Sequence, residues 1–198
     1  MIKLFKEIPI VTRSMILISL GLYLVNVVFY FTGIYINDYL GLFQFSNENF
    51  KLYQVLTFTF SHDPYPGHLI YNMVYLLIFS AQAEIILKKD FLKLILFTII
   101  FAIFGLQVFE TDINHIGLSI IGFSVTSYFI LSKNSLENVL SVGLKFLGIL
   151  FIFGDFMVFL KGFKNNVMNG EFHSSYAHMI GVLTGFIFYV YIKTKKEI

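Results

Sequence analysis

Runs of about twenty apolar residues constrain this chain more than any other feature. A helix that crosses the hydrocarbon core of a bilayer, about 30 Å thick, needs roughly 20 mostly apolar residues. Six runs are close to this length, and none alternates every second residue as a barrel strand would. They are residues 15–34, 67–87, 91–109, 116–131, 142–160 and 177–192. The sequence therefore predicts an all-α membrane protein, a bundle of six transmembrane helices.

Composition agrees with a lipid environment. Hydrophobic residues make up 57% of the chain and charged residues 13%, about half the charged fraction of a soluble domain. There are only three prolines and no serine-rich or glycine-rich linker, so residues 1–198 are predicted to form one domain with the lipid bilayer as solvent. The net charge of +2 is too small to indicate a nucleic-acid partner.

The basic residues predict the orientation of the bundle. Cytoplasmic loops retain Lys and Arg. With the N-terminus inside, all 14 basic residues except Lys51, Lys161 and Lys164 fall on the inner side. Six helices also return the C-terminus to that side. The first apolar run is too long for the core of a signal peptide and is followed by no small-residue cleavage site, so it is predicted to stay as a helix.

In this orientation three helices begin at the outer face with polar residues. The second helix carries His68 and Asn72, the fourth carries Ser119, and the sixth carries His178. At a rise of 1.5 Å per residue, these side chains should share one depth just inside the outer leaflet. Polar groups in a membrane usually face the bundle interior or a water-filled cavity. The four residues are therefore predicted to form one site.

Glycines follow two of these residues by one helical turn. Gly122 lies three residues after Ser119, and Gly181 lies three after His178, followed by Gly185. Small residues at this spacing let transmembrane backbones approach closely. The pattern predicts that the fourth and sixth helices touch, which would bring the Ser119 hydroxyl within hydrogen-bond reach of His178.

The chemistry that this group predicts is acyl transfer. A histidine can take the proton of a serine hydroxyl near neutral pH and so make a nucleophile. His68, Asn72 and the backbone N–H of Ser119 are candidate donors to the resulting oxyanion. No acidic residue is expected beside His178, so the prediction is a dyad. Asp155, in the fifth run, is an intramembrane acid and hence a functional candidate, or a hydrated residue near the outer end.

Other interpretations stay open for each residue. A serine in a transmembrane helix commonly bonds to a carbonyl of its own helix, and His68 with Asn72 could be an interhelical hydrogen-bond pair. Five histidines near the outer face raise the question of a metal, but their spacing is not that of a zinc-binding helix. No metal and no cofactor are expected. Transport fits poorly, because the sequence shows no inverted repeat.

Three motifs resemble the rhomboid family of intramembrane serine proteases. The run from Tyr53 to Phe79 resembles the end of the rhomboid first loop and its H-x-x-x-N helix. Gly117, Leu118 and Ser119 resemble the G-x-S around the nucleophile. Ala177 to Gly185 resembles A-H-x-x-G-x-x-x-G of the last core helix. The resemblance implies a serine endopeptidase that cleaves transmembrane protein substrates near the outer face, with Ser119 and His178 as its catalytic residues.

The same resemblance implies roles for two loops, and the sequence differs from the usual rhomboid pattern at three points. Residues 39–60 would lie partly in the outer leaflet, and residues 161–176 would be a mobile cap over the site. Ile120 stands where the family usually has glycine, the Trp-Arg pair of the first loop is absent, and His173 replaces a common glycine. Ile120 favours an alternative, a catalytically inactive rhomboid-like protein that binds or escorts membrane clients. A compact chain suits a bacterial plasma membrane.

Overall fold

The computed structural model describes residues 7–109, 114–132, 139–165, 167 and 169–197, and within them the chain is helical apart from loops and one isolated bridge. The two longest helices, α8 and α9, are the last in the chain. The α-helices in chain order are α1 (Ile10–Tyr30), α2 (Asn37–Leu40), α3 (Gln54–Thr57), α4 (Pro66–Tyr75), α5 (Ala81–Leu87), α6 (Phe91–Gly105), α7 (Ser119–Leu131), α8 (Val139–Asn165) and α9 (Gly170–Glu197).

The second apolar run forms one continuous helical rod that is not regular throughout. Pro66 begins α4, where its missing N–H costs nothing because the first N–H groups of a helix have no intrahelical partner. Residues Leu76–Ser80 then form a π-helical turn before α5. Such turns widen a helix locally and occur mostly as short insertions. The rod ends at Lys88, which has a positive φ of 52°.

The chain is a multi-pass integral membrane protein. Three segments, Ile10–Tyr30, Ser141–Asn165 and Gly170–Lys195, are long and apolar enough to cross a membrane, and Ser119–Leu131 is a shorter apolar helix. The all-helical class is thereby confirmed. The count of six membrane-crossing helices and the single domain over residues 1–198 stay predictions.

Two predicted boundaries are wrong at the connection between the last two helices. Helix α8 continues to Asn165 and α9 begins at Gly170, so most of the loop predicted over residues 161–176 is helix. The polar start of α9 has a physical cause: the Asn169 side chain accepts a hydrogen bond from the Phe172 N–H at 3.1 Å, and Glu171 lies in the first turn. Both features stabilise a helix N-terminus, and neither contributes to an apolar run.

Helix α7 lies at the centre of the bundle. Ten consecutive residues, from Ile120 through Phe129, are buried, because α7 packs against the α4–α5 rod, α6, α8 and α9. More than one turn after Ser119, Ser124 Oγ contacts Thr98 Oγ1 of α6 at 2.7 Å and accepts a hydrogen bond from Thr184 Oγ1 of α9 at 3.3 Å. These hydroxyls satisfy one another inside the membrane, where an unpaired polar group is costly.

The first loop holds the chain that leads into α7. Leu42 and His115 exchange backbone hydrogen bonds of 2.9 Å in an antiparallel bridge, and Gly117 N donates to the Phe58 carbonyl at 2.9 Å. Of the residues between the third and fourth apolar runs, 110–113 lie outside the described residues. Asn114, which is described, is tied to α2, since its Nδ2 donates to the Asn37 carbonyl at 2.5 Å. These bonds fix the approach to Ser119.

Candidate active site

A polar cavity of about 260 Å³ opens at the start of α7. Ser119 and Ile120 lie on its wall, together with residues from the first loop, the segment before α7 and the start of α9. The remaining lining residues are Phe58, Asp63, His68, Leu106, Asn114, His115, Ile116, Gly117, Gly170, His173, Ser174 and Ala177. The cavity is large enough for an amino-acid side chain and places a serine hydroxyl beside several polar groups.

Ser119 is the first residue of α7, and the backbone before it is shaped for close approach. Gly117 has φ +102°, a conformation that residues with a side chain rarely adopt. A Cβ at Gly117 would lie 2.7 Å from His68 Nε2 and 3.5 Å from Asn72 Nδ2. The glycine therefore lets both α4 side chains reach the backbone two residues before Ser119. Its place in the G-x-S motif has a direct steric reason.

His68 and Asn72 both point from α4 to this backbone but differ in their hydrogen bonding. The Asn72 side chain is buried, and within the described residues its Nδ2 has no hydrogen-bond partner. An amide Nδ2 is a donor at any pH. His68 Nδ1 lies 3.4 Å from Asp63 Oδ2. If Nδ1 donates its proton to that carboxylate, Nε2 can donate a hydrogen bond only when the ring carries a second proton. Asn72 is the simpler oxyanion donor.

His178 lies more than two turns into α9, because that helix begins at Gly170; the prediction that it stands near the helix start is wrong. Its ring stacks on Phe123 of α7, with ring centroids 4.2 Å apart and an interplanar angle of 10°. Phe123 was not among the predicted site residues. Its spacing of four from Ser119 is the available signal, because it puts both side chains on one face of α7.

An acidic residue does adjoin His178, contrary to the prediction. Asp155 Oδ1 of α8 lies 2.8 Å from His178 Nδ1 and accepts a hydrogen bond from Ser175 Oγ at 3.3 Å. The prediction considered only neighbours in sequence. Asp155 precedes His178 by more than twenty residues and reaches it only because α8 and α9 are antiparallel neighbours.

Glycines bring α7 and α9 into backbone contact. A Cβ at Gly181 would collide with the Ile120 carbonyl, and a Cβ at Gly185 would collide with the Ser124 carbonyl. Gly122 packs instead against Tyr75 of α4, because a Cβ at Gly122 would lie 3.2 Å from Cδ1 of the Tyr75 ring. Although both side chains belong to the described residues, no hydrogen bond joins Ser119 to His178. Catalytic hydrogen bonds are often long before substrate binds.

Ile120 occupies the position that sets this chain apart from the usual motif. Its side chain is 2% exposed and belongs to the hydrophobic core, while its carbonyl receives Gly181. The branched side chain therefore does not loosen the packing of α7 against α9. It still forms part of the cavity wall directly beside Ser119.

Two further histidines, His62 and His115, are held neutral. Burial, and next the neighbouring His68, lower the pKa of His62 to about 4. Burial, and next the neighbouring His173, lower the pKa of His115 to about 4. The hydrogen bond from His68 lowers the pKa of the Asp63 carboxyl. Across the described ranges, no three His, Cys, Asp or Glu side chains are grouped so that they could hold a metal ion.

Fold and site together define a helical integral membrane protein in which Ser119 and His68 line one polar cavity, Asn72 approaches the backbone before Ser119, and His178 lies on the helix packed against α7. The family model of the rhomboid domain matches residues 49–195, which include all of these residues. The chain belongs to the rhomboid family, and the resemblance read from its three motifs is confirmed. No curated protein matches the chain directly.

Proposed function

We propose that this protein is an intramembrane serine endopeptidase that cleaves transmembrane protein substrates near the outer membrane face. The observation that carries the proposal is the contact of α7 with α9, where Gly181 receives the carbonyl of Ile120. This contact brings the helix turn that holds His178 against the turn that begins with Ser119. Ser119 in turn lines a polar cavity that can admit a substrate side chain.

In the proposed reaction Ser119 Oγ attacks the carbonyl carbon of the scissile peptide bond while His178 Nε2 takes its proton. The carbonyl oxygen becomes an oxyanion, which needs donors already in place. Asn72 Nδ2 and His68 Nε2 approach from α4, and the first N–H groups of α7 have no partner within their own helix. His178 then returns the proton to the leaving amine. In the second half of the reaction His178 takes a proton from water, which attacks the acyl-enzyme, and returns that proton to Ser119 Oγ as the acyl bond breaks.

Hydrolysis inside a bilayer needs water at the site, and the polar cavity meets this need. It lies at the helix ends, where the charge distribution of the chain predicts the outer face. We place the protein in a bacterial plasma membrane with both termini in the cytoplasm. Residues 39–60 would then lie against the outer leaflet, consistent with the large exposed side chains of Phe45, Leu52 and Leu56.

Labelling with a fluorophosphonate probe in mild detergent tests the proposal. We expect the wild-type protein to label and both Ser119→Ala and His178→Ala to remain unlabelled, with Ser119→Ala keeping the wild-type unfolding temperature. Ser14→Ala is the matched control, because Ser14 Oγ only donates to the Ile10 carbonyl of its own helix at 2.8 Å. Folded wild-type protein that does not label contradicts the proposal.

A second candidate function is binding or escort of membrane clients without cleavage. The observation in its favour is Ile120, which narrows the cavity beside Ser119. It predicts that a transmembrane client copurifies equally with wild type and Ser119→Ala, and that neither form turns over any substrate. The variant Ile120→Gly separates the two functions: labelling that rises in this variant identifies an attenuated enzyme, and its absence in both forms favours the escort.

A further inference from the structure

Asp155 is placed where a carboxylate can act on His178. Its Oδ1 lies 2.8 Å from His178 Nδ1 and 3.3 Å from Ser175 Oγ. The two partners are three residues apart on α9, so they share one face of that helix. The side chains of His178 and Asp155 are 11% and 21% exposed. The carboxylate is thus directed at one short stretch of α9 and largely withdrawn from the surface.

The contact determines which nitrogen of His178 can act as a base. An ionised carboxylate only accepts hydrogen bonds, so His178 Nδ1 must carry a proton to bond with Asp155. The lone pair then belongs to Nε2, the nitrogen that must take the Ser119 proton. When Nε2 becomes protonated, the imidazolium is stabilised by the same carboxylate. The general serine-protease template uses a buried aspartate in this way.

Phe123 and Asp155 constrain the imidazole in complementary ways. The stack on Phe123 fixes the plane of the ring but not which edge faces Ser119. The bond to Asp155 fixes that edge. Only 6% of the 18 most apolar consecutive residues of α8 are buried within the bundle. An aspartate on such an exposed membrane helix would be costly without a partner. The position of Asp155 is thus explained by His178.

We propose that Asp155 is a positioning residue for His178, so that the site is a Ser119–His178–Asp155 triad instead of a dyad. This inference rests on the proposed peptidase function. Asp155 touches no substrate atom in the proposal; it holds His178 in the tautomer with a proton on Nδ1 and stabilises the imidazolium in the transition state.

The test compares Asp155→Asn with wild type. The asparagine amide has nearly the shape of the carboxylate but can donate to Nδ1, which favours the tautomer with the proton on Nε2. We expect kcat for a model transmembrane substrate, and the rate of fluorophosphonate labelling, to fall by about 10² to 10⁴, with KM nearly unchanged. Asp90→Asn is the matched control, because Asp90 contacts Lys93 at the opposite end of the bundle and should change neither value.

Nitrogen-15 NMR of labelled histidine gives a readout independent of turnover. Wild-type His178 should show a protonated Nδ1, and Asp155→Asn should show loss of that state at the same pH. Asp155→Asn activity within about threefold of wild type, or a wild-type His178 protonated on Nε2 alone, overturns the inference. If wild type neither labels nor cleaves, the peptidase proposal fails, and the NMR tautomer still decides whether Asp155 positions His178.

Discussion

Helices α8 and α9 both carry a residue of the candidate site, yet they are held to the bundle in different ways. Of the 18 most apolar consecutive residues of α9, 44% are buried, whereas in α8 the corresponding share is 6%. Gly181 and Gly185 of α9 lie against main-chain carbonyls of α7, whereas Gly148 and Gly162 of α8 lie against the side chains of Thr126 and Phe172. Gly143 and Gly154 of α8 have open space where a side chain would be.

The contacts of α8 are made by side chains at separate points. Lys145 Nζ donates to the Ser132 carbonyl at 2.7 Å, and the Phe151 ring lies 5.2 Å from that of Tyr75. Asp155 bonds to His178, and one turn further on the Phe159 ring lies 5.4 Å from that of Phe172 in α9. The position of His178 relative to α7 therefore rests on direct contact between two main chains. The position of Asp155 relative to His178 depends on a helix that is held by side-chain contacts.

Replacing one glycine by alanine in each helix tests this comparison most strongly. Gly185→Ala forces a methyl group into the Ser124 carbonyl, so we expect a loss of about 3 kcal/mol in unfolding free energy and strongly reduced labelling. Gly154→Ala meets nothing within 4 Å and should raise stability by about 0.5–1 kcal/mol through its better helix propensity.

Thermal unfolding in detergent measures both glycine variants under one condition. A decrease in unfolding temperature for Gly185→Ala together with an unchanged or higher value for Gly154→Ala supports the packing described. Equal changes in the two variants would mean that α9 is no more tightly packed than α8.

The packed side of the site was largely predictable from sequence, because the signals are local. Glycine spacing in α9 predicts close approach, and the i,i+4 spacing of His68 and Asn72 puts them on one face. The helix class follows from the length of the apolar runs. The number of crossings needs a membrane reference that periodicity alone does not supply.

The contacts missed are those between residues far apart in sequence. Asp155 meets His178 across two antiparallel helices. Glu84, another acid in an apolar run, accepts hydrogen bonds from Val11 N and Thr12 N at 2.9 and 2.7 Å, so it satisfies the start of α1. An acid in an apolar run indicates that a partner exists, but its identity depends on which helices become neighbours. The early start of α9 was missed because a capped polar turn has no apolar periodicity.

Acid should weaken the packed side of the molecule selectively. His62 and His115 precede α4 and α7, and the part of α8 that the structure describes contains no histidine. Their folded pKa values of about 4 lie below the unfolded value of about 6.5. Their contribution to stability is therefore complete above pH 6.5 and is lost as the pH falls toward 4. Between pH 7.5 and 5.5 we expect a loss of about 1 kcal/mol for each histidine.

Unfolding temperatures of wild type and of the double variant His62→Asn, His115→Asn across this pH range measure the effect. The double variant should show a flatter pH dependence, whatever its stability at pH 7.5. The Asp63 carboxyl titrates below this window and leaves the comparison unchanged. A wild-type curve that is flat from pH 7.5 to 5.5 would contradict the burial of the two rings.

The smallest effect that we expect distinguishes how α7 aligns the His178 ring from how α8 aligns it. Phe123→Leu removes the ring stacked on His178 and should cost about 1 kcal/mol in stability and slow labelling about tenfold, because the imidazole plane loosens while its tautomer persists. Phe129→Leu is the matched control, deeper on the same helix and packed on Phe79. If Phe123→Leu slows labelling more than Asp155→Asn does, the stack from α7 contributes more to the alignment of His178 than the hydrogen bond from α8 does.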